Sequence, residues 1–174
     1  ADVVERGEYG QLGSPWEFNL RDIFRWCQLL LSNRNDQTLN AEVAGDYVET
    51  IYIQRLRAQY DRDMLSKRFE ETFQVSLSSP RLPSFEITDD FVRIGNAVLR
   101  RDVASPYPIV SLPLQGTEPG IGRGLMRSAQ SIADCVRMNW PVLLVGSESS
   151  GKSNLLRFLS ESCNFHLEEI ALTQ

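Results

Sequence analysis

The stretch Val142-Leu143-Leu144-Val145-Gly146-Ser147-Glu148-Ser149-Ser150-Gly151-Lys152-Ser153 passes from an apolar run through a glycine-bounded turn to the start of a helix. Residues 142–145 have the form of a short central strand, buried on both faces of a parallel sheet. Residues 146–153 match G-x-x-x-x-G-K-[ST] at every required position. Leu155, Leu156 and Leu159 then continue at a spacing that suits a helix. Each residue type has its own reason to be there. Gly146 and Gly151 permit backbone geometries and close approach that a side chain would block, so the amides of Ser147, Glu148, Ser149 and Ser150 can converge on phosphate oxygens. The N-terminus of the helix expected from Asn154 to Leu159 completes an anion site with Lys152 and Ser153. Lys152 supplies a flexible point charge for the outer phosphates, and the Ser153 hydroxyl is placed to hold a magnesium ion. The expected ligand is ATP or GTP with magnesium.

Working outward from the loop, residues 165–172 suggest a second strand of the same sheet. Upstream, Leu125, Ala129, Ile132, Ala133 and Val136 make a helical stripe. Residues 105–124 are rich in proline and glycine and suggest an extended connector. Phe91-Val92-Arg93-Ile94, then Gly95-Asn96, then Ala97-Val98-Leu99-Arg100 predicts a hairpin closed by a two-residue turn. Ser78-Ser79-Pro80 marks a boundary, which divides the chain into residues 1–78, a linker with the hairpin at 79–124, and residues 125–174.

Residues 1–78 are of a different texture. Asn19 with Asp22 three places on predicts a capped helix start. Leu20, Ile23, Phe24, Cys27, Leu30 and Leu31 form an apolar stripe from there, broken at residues 33–36. A second stripe runs through Ala44, Tyr47, Val48, Ile51 and Tyr52, and a third through Met64, Leu65, Phe69 and Phe73. The expected fold is therefore α/β with a preceding all-α subdomain.

The 174 residues carry a net charge of -5, with no basic stripe for a nucleic-acid backbone, so direct nucleic-acid binding is not expected. Cys27, Cys135 and Cys163 lack metal-site or disulfide spacing and are expected to be buried or neutral thiols. The first residues lack a basic start followed by an apolar run, and no apolar stretch approaches the roughly 20 residues of a membrane span. A soluble, intracellular protein is expected. His166 and the Glu168-Glu169 pair read as surface residues, and Trp16, Trp26 and Trp140 as core or interface residues.

The N-terminal half adds a resemblance. Trp16-Glu17-Phe18-Asn19-Leu20-Arg21-Asp22-Ile23-Phe24-Arg25-Trp26-Cys27 resembles the lid helix of the midasin family of dynein-related AAA+ ATPases. Tyr52-Ile53-Gln54-Arg55-Leu56-Arg57 with Asp61-Arg62 looks like the next block of such lids, and residues 92–101 and 140–153 resemble the hairpin and phosphate loop that open the following module. The resemblance implies an AAA+ helical lid followed by the N-terminal part of a P-loop NTPase α/β sheet. It implies ATP as the nucleotide, with magnesium, and an ATPase ring of AAA+ modules in one polypeptide. Such proteins remodel pre-60S ribosomal particles and release assembly factors in the nucleus, in the nucleolus and nucleoplasm. Arg21 matches the lid arginine called sensor 2. Because a lid follows its own module's phosphate loop in sequence, Arg21 is expected to serve the preceding module, and the lid to contact neighbouring modules of the same chain.

No catalytic residue is expected within these residues, since the sequence runs only about 20 residues past Lys152 and an acidic strand for water activation would come later. A dynein-type ring shares the general module order, though the Asn19-Leu20-Arg21-Asp22 helix argues against it. A nucleotide-binding scaffold that never turns its ATP over is a third reading.

Overall fold

Asn19 and Asp22 begin the first helix by sharing hydrogen bonds across its opening turn. The Asn19 N–H donates to Asp22 Oδ2 at 3.2 Å, and the Arg21 N–H donates to Asn19 Oδ1 at 3.1 Å. This is the capping arrangement that the sequence pattern predicts. The computed structural model describes residues 18–32, 41–74, 82–102, 104 and 121–171. The expected helix break at 33–36, the boundary at 78–80, Trp16 and most of the 105–124 connector lie outside them. The chain forms two compact units, Ala1–Arg81 and Leu82–Gln174.

The first unit holds α1 (Leu20–Ser32), α2 (Ala41–Ile51), a 3-10 turn (Ile53–Arg55) and α3 (Gln59–Phe73). Tyr47, Val48 and Ile51 of α2 are buried as their spacing predicts, as is Leu56, and Val48 packs in a cluster with Ile53 and Phe69. Trp26 packs against this cluster, and its indole N–H donates to Ala44 O at 3.1 Å. Phe69 and Phe73 stack at 4.5 Å, with Trp26 edge-on to both.

The apolar stripe of α1 does not face this core. Leu20 (62% exposed), Ile23, Phe24 and Leu31 are open to solvent, while Asp22 and Leu29 are buried in their place. The reason is electrostatic and steric. Asp22 Oδ2 lies 3.0 Å from Arg55 Nη1, and this pair together with Trp26 sets which side of α1 turns inward. Cys27 is on the exposed side, so it is a free surface thiol; Cys163, in the other unit, is fully buried. Burial pushes the Cys163 thiol up to about 12, against an opposing pull from the Arg101 charge.

The second unit is built on the hairpin. Strands β1 (Phe85–Ile87), β2 (Phe91–Ile94) and β3 (Ala97–Arg100) form an antiparallel sheet in the order β1-β2-β3, with Ile94 opposite Ala97. β2, β3 and their two-residue turn stand where the sequence places them; β1 was not foreseen, although Phe85 and Ile87 alternate around Glu86 in the manner of a strand. Helices α4 (Met126–Arg137) and α5 (Lys152–Cys163) complete the unit. Val92, Ile94, Ala97 and Leu99 bury against Ala129, Ile132 and Ala133 of α4 and Leu155, Phe158 and Leu159 of α5. The hairpin expected in a linker is thus part of this core. Ile121 and Met126 also enter it, whereas Val136, expected on the inner stripe of α4, is exposed.

The expected parallel sheet is not formed among the described residues. Residues 142–145 have no ladder partner, leaving Leu143 88% and Val145 63% exposed, and residues 165–171 are likewise unpaired, with Ile170 82% exposed. A strand needs donors and acceptors from a segment beside it, and apolar character alone does not supply them. None of the described helices is long and apolar enough to cross a membrane.

Gly95 closes the hairpin with φ +56, and a Cβ there would stand 2.3 Å from Gln130 Oε1. Gln130 is itself buried, so it has little room to give way. Gly95→Ala should therefore destabilise the chain by about 1–2 kcal/mol in denaturant titration. Adding Gln130→Ala should recover the part due to the clash and leave the backbone part; an unchanged midpoint for Gly95→Ala would refute the tight turn.

Candidate functional site

Helix α5 is held along one face and at its far end, so its N-terminus is presented from a fixed support. Leu155, Phe158, Leu159 and Cys163 are its buried face, with the Phe158 ring 5.4 Å from Phe85 of β1. At the C-terminus, Asn164 takes the left-handed conformation (φ 58), and the Phe165 N–H donates to Ser160 O at 2.8 Å. The Asn164 side-chain amide donates to Asp102 O at 2.7 Å, and the Asp102 N–H donates to Cys163 O at 2.9 Å. These bonds tie the helix end to the chain leaving β3.

At the other end Gly151 precedes the helix at φ 86, a region open to glycine, and no side chain caps the helix. A Cβ on Gly151 would meet Leu125 Cδ1 at 3.0 Å. The first intrahelical bond runs from the Leu155 N–H to Gly151 O at 2.9 Å. The N–H groups of Lys152, Ser153 and Asn154 come before it, so no carbonyl of the helix accepts from them. An end of this kind is suited to an anion, through its free amides and the positive end of the helix dipole.

The loop wraps back over its own lysine. Lys152 Nζ donates to Gly146 O at 2.9 Å, to Ser147 O at 2.6 Å and to Ser150 Oγ at 3.1 Å. Three oxygens thus gather an ammonium at the mouth of α5. Gly146 borders this cradle: a Cβ there would lie 3.1 Å from Ser150 Oγ and 3.8 Å from Lys152 Nζ. Ser147, Glu148, Ser149 and Ser150 are exposed, with Ser149 at φ 60, and the Ser153 and Asn154 side chains are exposed in the first helical turn. Of the residues marked by the sequence motif, Gly146, Ser147 and Ser150 are thus gathered around Lys152, with Ser153 and Asn154 in the helical turn that follows; a phosphate group would meet the ammonium and the amides of that turn. Among the described residues no cluster of His, Cys, Asp and Glu side chains could hold a metal ion by itself. A magnesium ion here would depend on the Ser153 hydroxyl and on oxygens brought by the nucleotide.

Beyond α5, Arg157 makes a two-pronged contact with Glu169, Nε to Oε1 at 2.8 Å and Nη2 to Oε2 at 3.0 Å. Glu169 is therefore tied back to the helix while remaining exposed. His166 stands 3.4 Å from Glu168 on the surface, as the sequence suggests. Arg21 lies in the other unit, exposed in the first turn of α1. What sequence reasoning missed at that end is the ion pair of Asp22 with Arg55. The Asn19–Asp22 spacing announces a cap, but nothing in it announces that the cap's carboxylate is buried.

The description "Midasin AAA lid domain" applies to the family whose model matches residues 2–76. The chain is similar to a midasin of Dictyostelium discoideum, 28% identical over 95% of this chain and 3% of that protein. It is also similar to a midasin of Giardia intestinalis, 26% identical over 91% of this chain and 4% of that protein. The chain thus spans only a few hundredths of the length of these relatives. No solved structure matches it.

The Arg157 hydrogen bonds, and then its charge, hold the Glu169 carboxyl below the usual carboxylate range. A lowered value in the folded state means that the tether is fully in place above the ordinary carboxylate value and is lost as pH falls through the lowered one. The Glu169 carboxyl carbon, followed by NMR, should titrate below a free glutamate, and in Arg157→Gln its midpoint should rise toward the ordinary value. An unmoved midpoint in that variant would show that Arg157 is not what lowers it.

Proposed function

We propose that the chain, whose residues 2–76 match the model of the midasin AAA lid domain family, is a nucleotide-binding portion of an AAA+ ATPase of midasin type. Residues 1–78 serve as the helical lid of one module, and residues 125–174 open the next. The observation that carries this reading is that the likeness does not stop with the lid. It covers 95% of the chain, through the loop where three oxygens gather the Lys152 ammonium at a glycine-started helix.

In this reading residues 146–154 bind the triphosphate of ATP. The free amides of the α5 end take phosphate oxygens, and Lys152 exchanges the loop oxygens it now holds for those of the nucleotide. The Ser153 hydroxyl holds magnesium, which when bound neutralises phosphate charge. These residues bind and orient; none of them activates water. Arg21 reaches the nucleotide of the preceding module as its sensor. In the intact polypeptide, binding and hydrolysis at such sites drive the remodelling of pre-60S particles and the release of assembly factors in the nucleus.

Lys152→Ala in the full-length parent should weaken ATP binding at this site about 10- to 100-fold, the effect of losing charged hydrogen bonds worth about 1.5–3 kcal/mol. The thermal midpoint without nucleotide should barely move, because the lysine's bonds within the loop are exposed. Equilibrium titration with a fluorescent ATP analogue measures the first and calorimetry the second. Unchanged affinity at every site would overturn the phosphate-loop assignment.

A further inference from the structure

Asp22 is a carboxylate that the helix cap alone does not require to be buried. A capping carboxylate does its work at the surface, and removing it from water is offset only by a partner in good geometry. Here Asp22 is 3% exposed and its Oδ2 accepts from two directions, the Asn19 N–H at 3.2 Å and Arg55 Nη1 at 3.0 Å. The Asp22 N–H returns to Asn19 O at 3.0 Å, and the Arg21 N–H is held by Asn19 Oδ1 at 3.1 Å. Arg55 is fixed in turn. Its guanidinium lies over the Phe18 ring at 5.6 Å, and that ring sits 5.5 Å from the ring of Tyr52, the residue that begins the 3-10 turn.

The consequence falls on Arg21. Its backbone lies inside this set of bonds, while its side chain is exposed. Neighbouring residues on a helix project about 100° apart, so a buried Asp22 on one side directs Arg21 toward the outside. Asp22 also takes up the charge of Arg55, which frees Arg21 to meet an anion from beyond this unit. A bonded first turn matters for such a role, because a misplacement of about 1 Å in a positioned charge is enough to lose most of its effect.

We propose that Asp22 and Arg55 are positioning residues for nucleotide binding, clamping the first turn of α1 so that Arg21 presents its guanidinium to a nucleotide phosphate. This rests on the reading of Arg21 as the nucleotide-sensing arginine of the preceding module. Ion pairs whose only function is to stabilise the lid would act independently of Arg21; a clamp acts through it.

The full-length parent is titrated with a fluorescent ATP analogue, as wild type, Arg21→Ala, Arg55→Lys, Asp22→Glu, and Arg21→Ala combined with each of the other two. Thermal midpoints are recorded alongside. Arg21→Ala should weaken one site about 10-fold. Arg55→Lys, which keeps the charge but loses the planar fork, should weaken the same site about 5-fold, and Asp22→Glu should do likewise. In the Arg21→Ala background both should have no further effect, whatever they do to the midpoint. If Arg21→Ala leaves every site unchanged, the sensor reading itself falls and the clamp with it. If Arg21→Ala weakens a site but the other two substitutions are silent, or are as harmful without Arg21 as with it, the clamp is overturned while the sensor reading stands.

Discussion

The second unit depends on one constraint, that α5 begins at a residue able to sit at φ 86 and then buries a whole face at once. Gly151 satisfies the first part, having no Cβ to meet either its own backbone or Leu125. Leu155, Phe158, Leu159 and Cys163 satisfy the second by packing into the core under the hairpin. A helix held by its side and its C-terminal end cannot slide, and its open N-terminus is therefore a fixed point. The loop before it inherits that fixity. With Lys152 bonded to three loop oxygens, the local charge is balanced by groups that an anion can replace without unfolding anything.

The first unit achieves the same result by a different route. Its core is aromatic and aliphatic, with Trp26, Phe69 and Phe73 in edge and stacked contacts, and this packing supports the helices without specifying the orientation of every turn. The Asp22–Arg55 pair supplies the missing specification at the start of α1. A buried ion pair is weak evidence for added stability, because the loss of hydration opposes the attraction. It is better evidence for geometry, since charged hydrogen bonds are directional while apolar contacts are not. The exposed apolar stripe of α1 follows from the same choice: once Asp22 turns inward, Leu20, Ile23 and Phe24 must turn outward.

How much could be read beforehand depended on whether the controlling interaction was local. The hairpin was legible because a two-residue turn with glycine between alternating apolar residues has few other solutions, and the observed register, Ile94 opposite Ala97, is the one that turn imposes. The α1 cap, the inner face of α2 and the presence of a helix after the Gly146 to Ser153 loop were legible for the same reason, since their determinants lie within a few residues of one another. The strand β1 was not, because a three-residue strand carries little periodic signal. The pairing of residues 142–145 was expected from composition, yet pairing is a property of two segments, and among the described residues no second segment forms a ladder with it.

By itself, then, the sequence determined the chain's local geometry and chemistry: where the first helix is capped, where the hairpin turns, and that Gly146 to Ser153 bring backbone amides, an ammonium and a hydroxyl into one loop. Only the tertiary structure decided which faces those elements bury. It turned the charged side of α1 inward through Asp22 and Arg55, drew the hairpin from an expected linker into a core, and placed Glu169 against Arg157. The physical reason is one of range. Backbone conformation and capping are settled by atoms within about a helical turn, whereas burial and ion pairing are settled by which distant residues arrive, and periodicity shows that a face exists without showing what it meets.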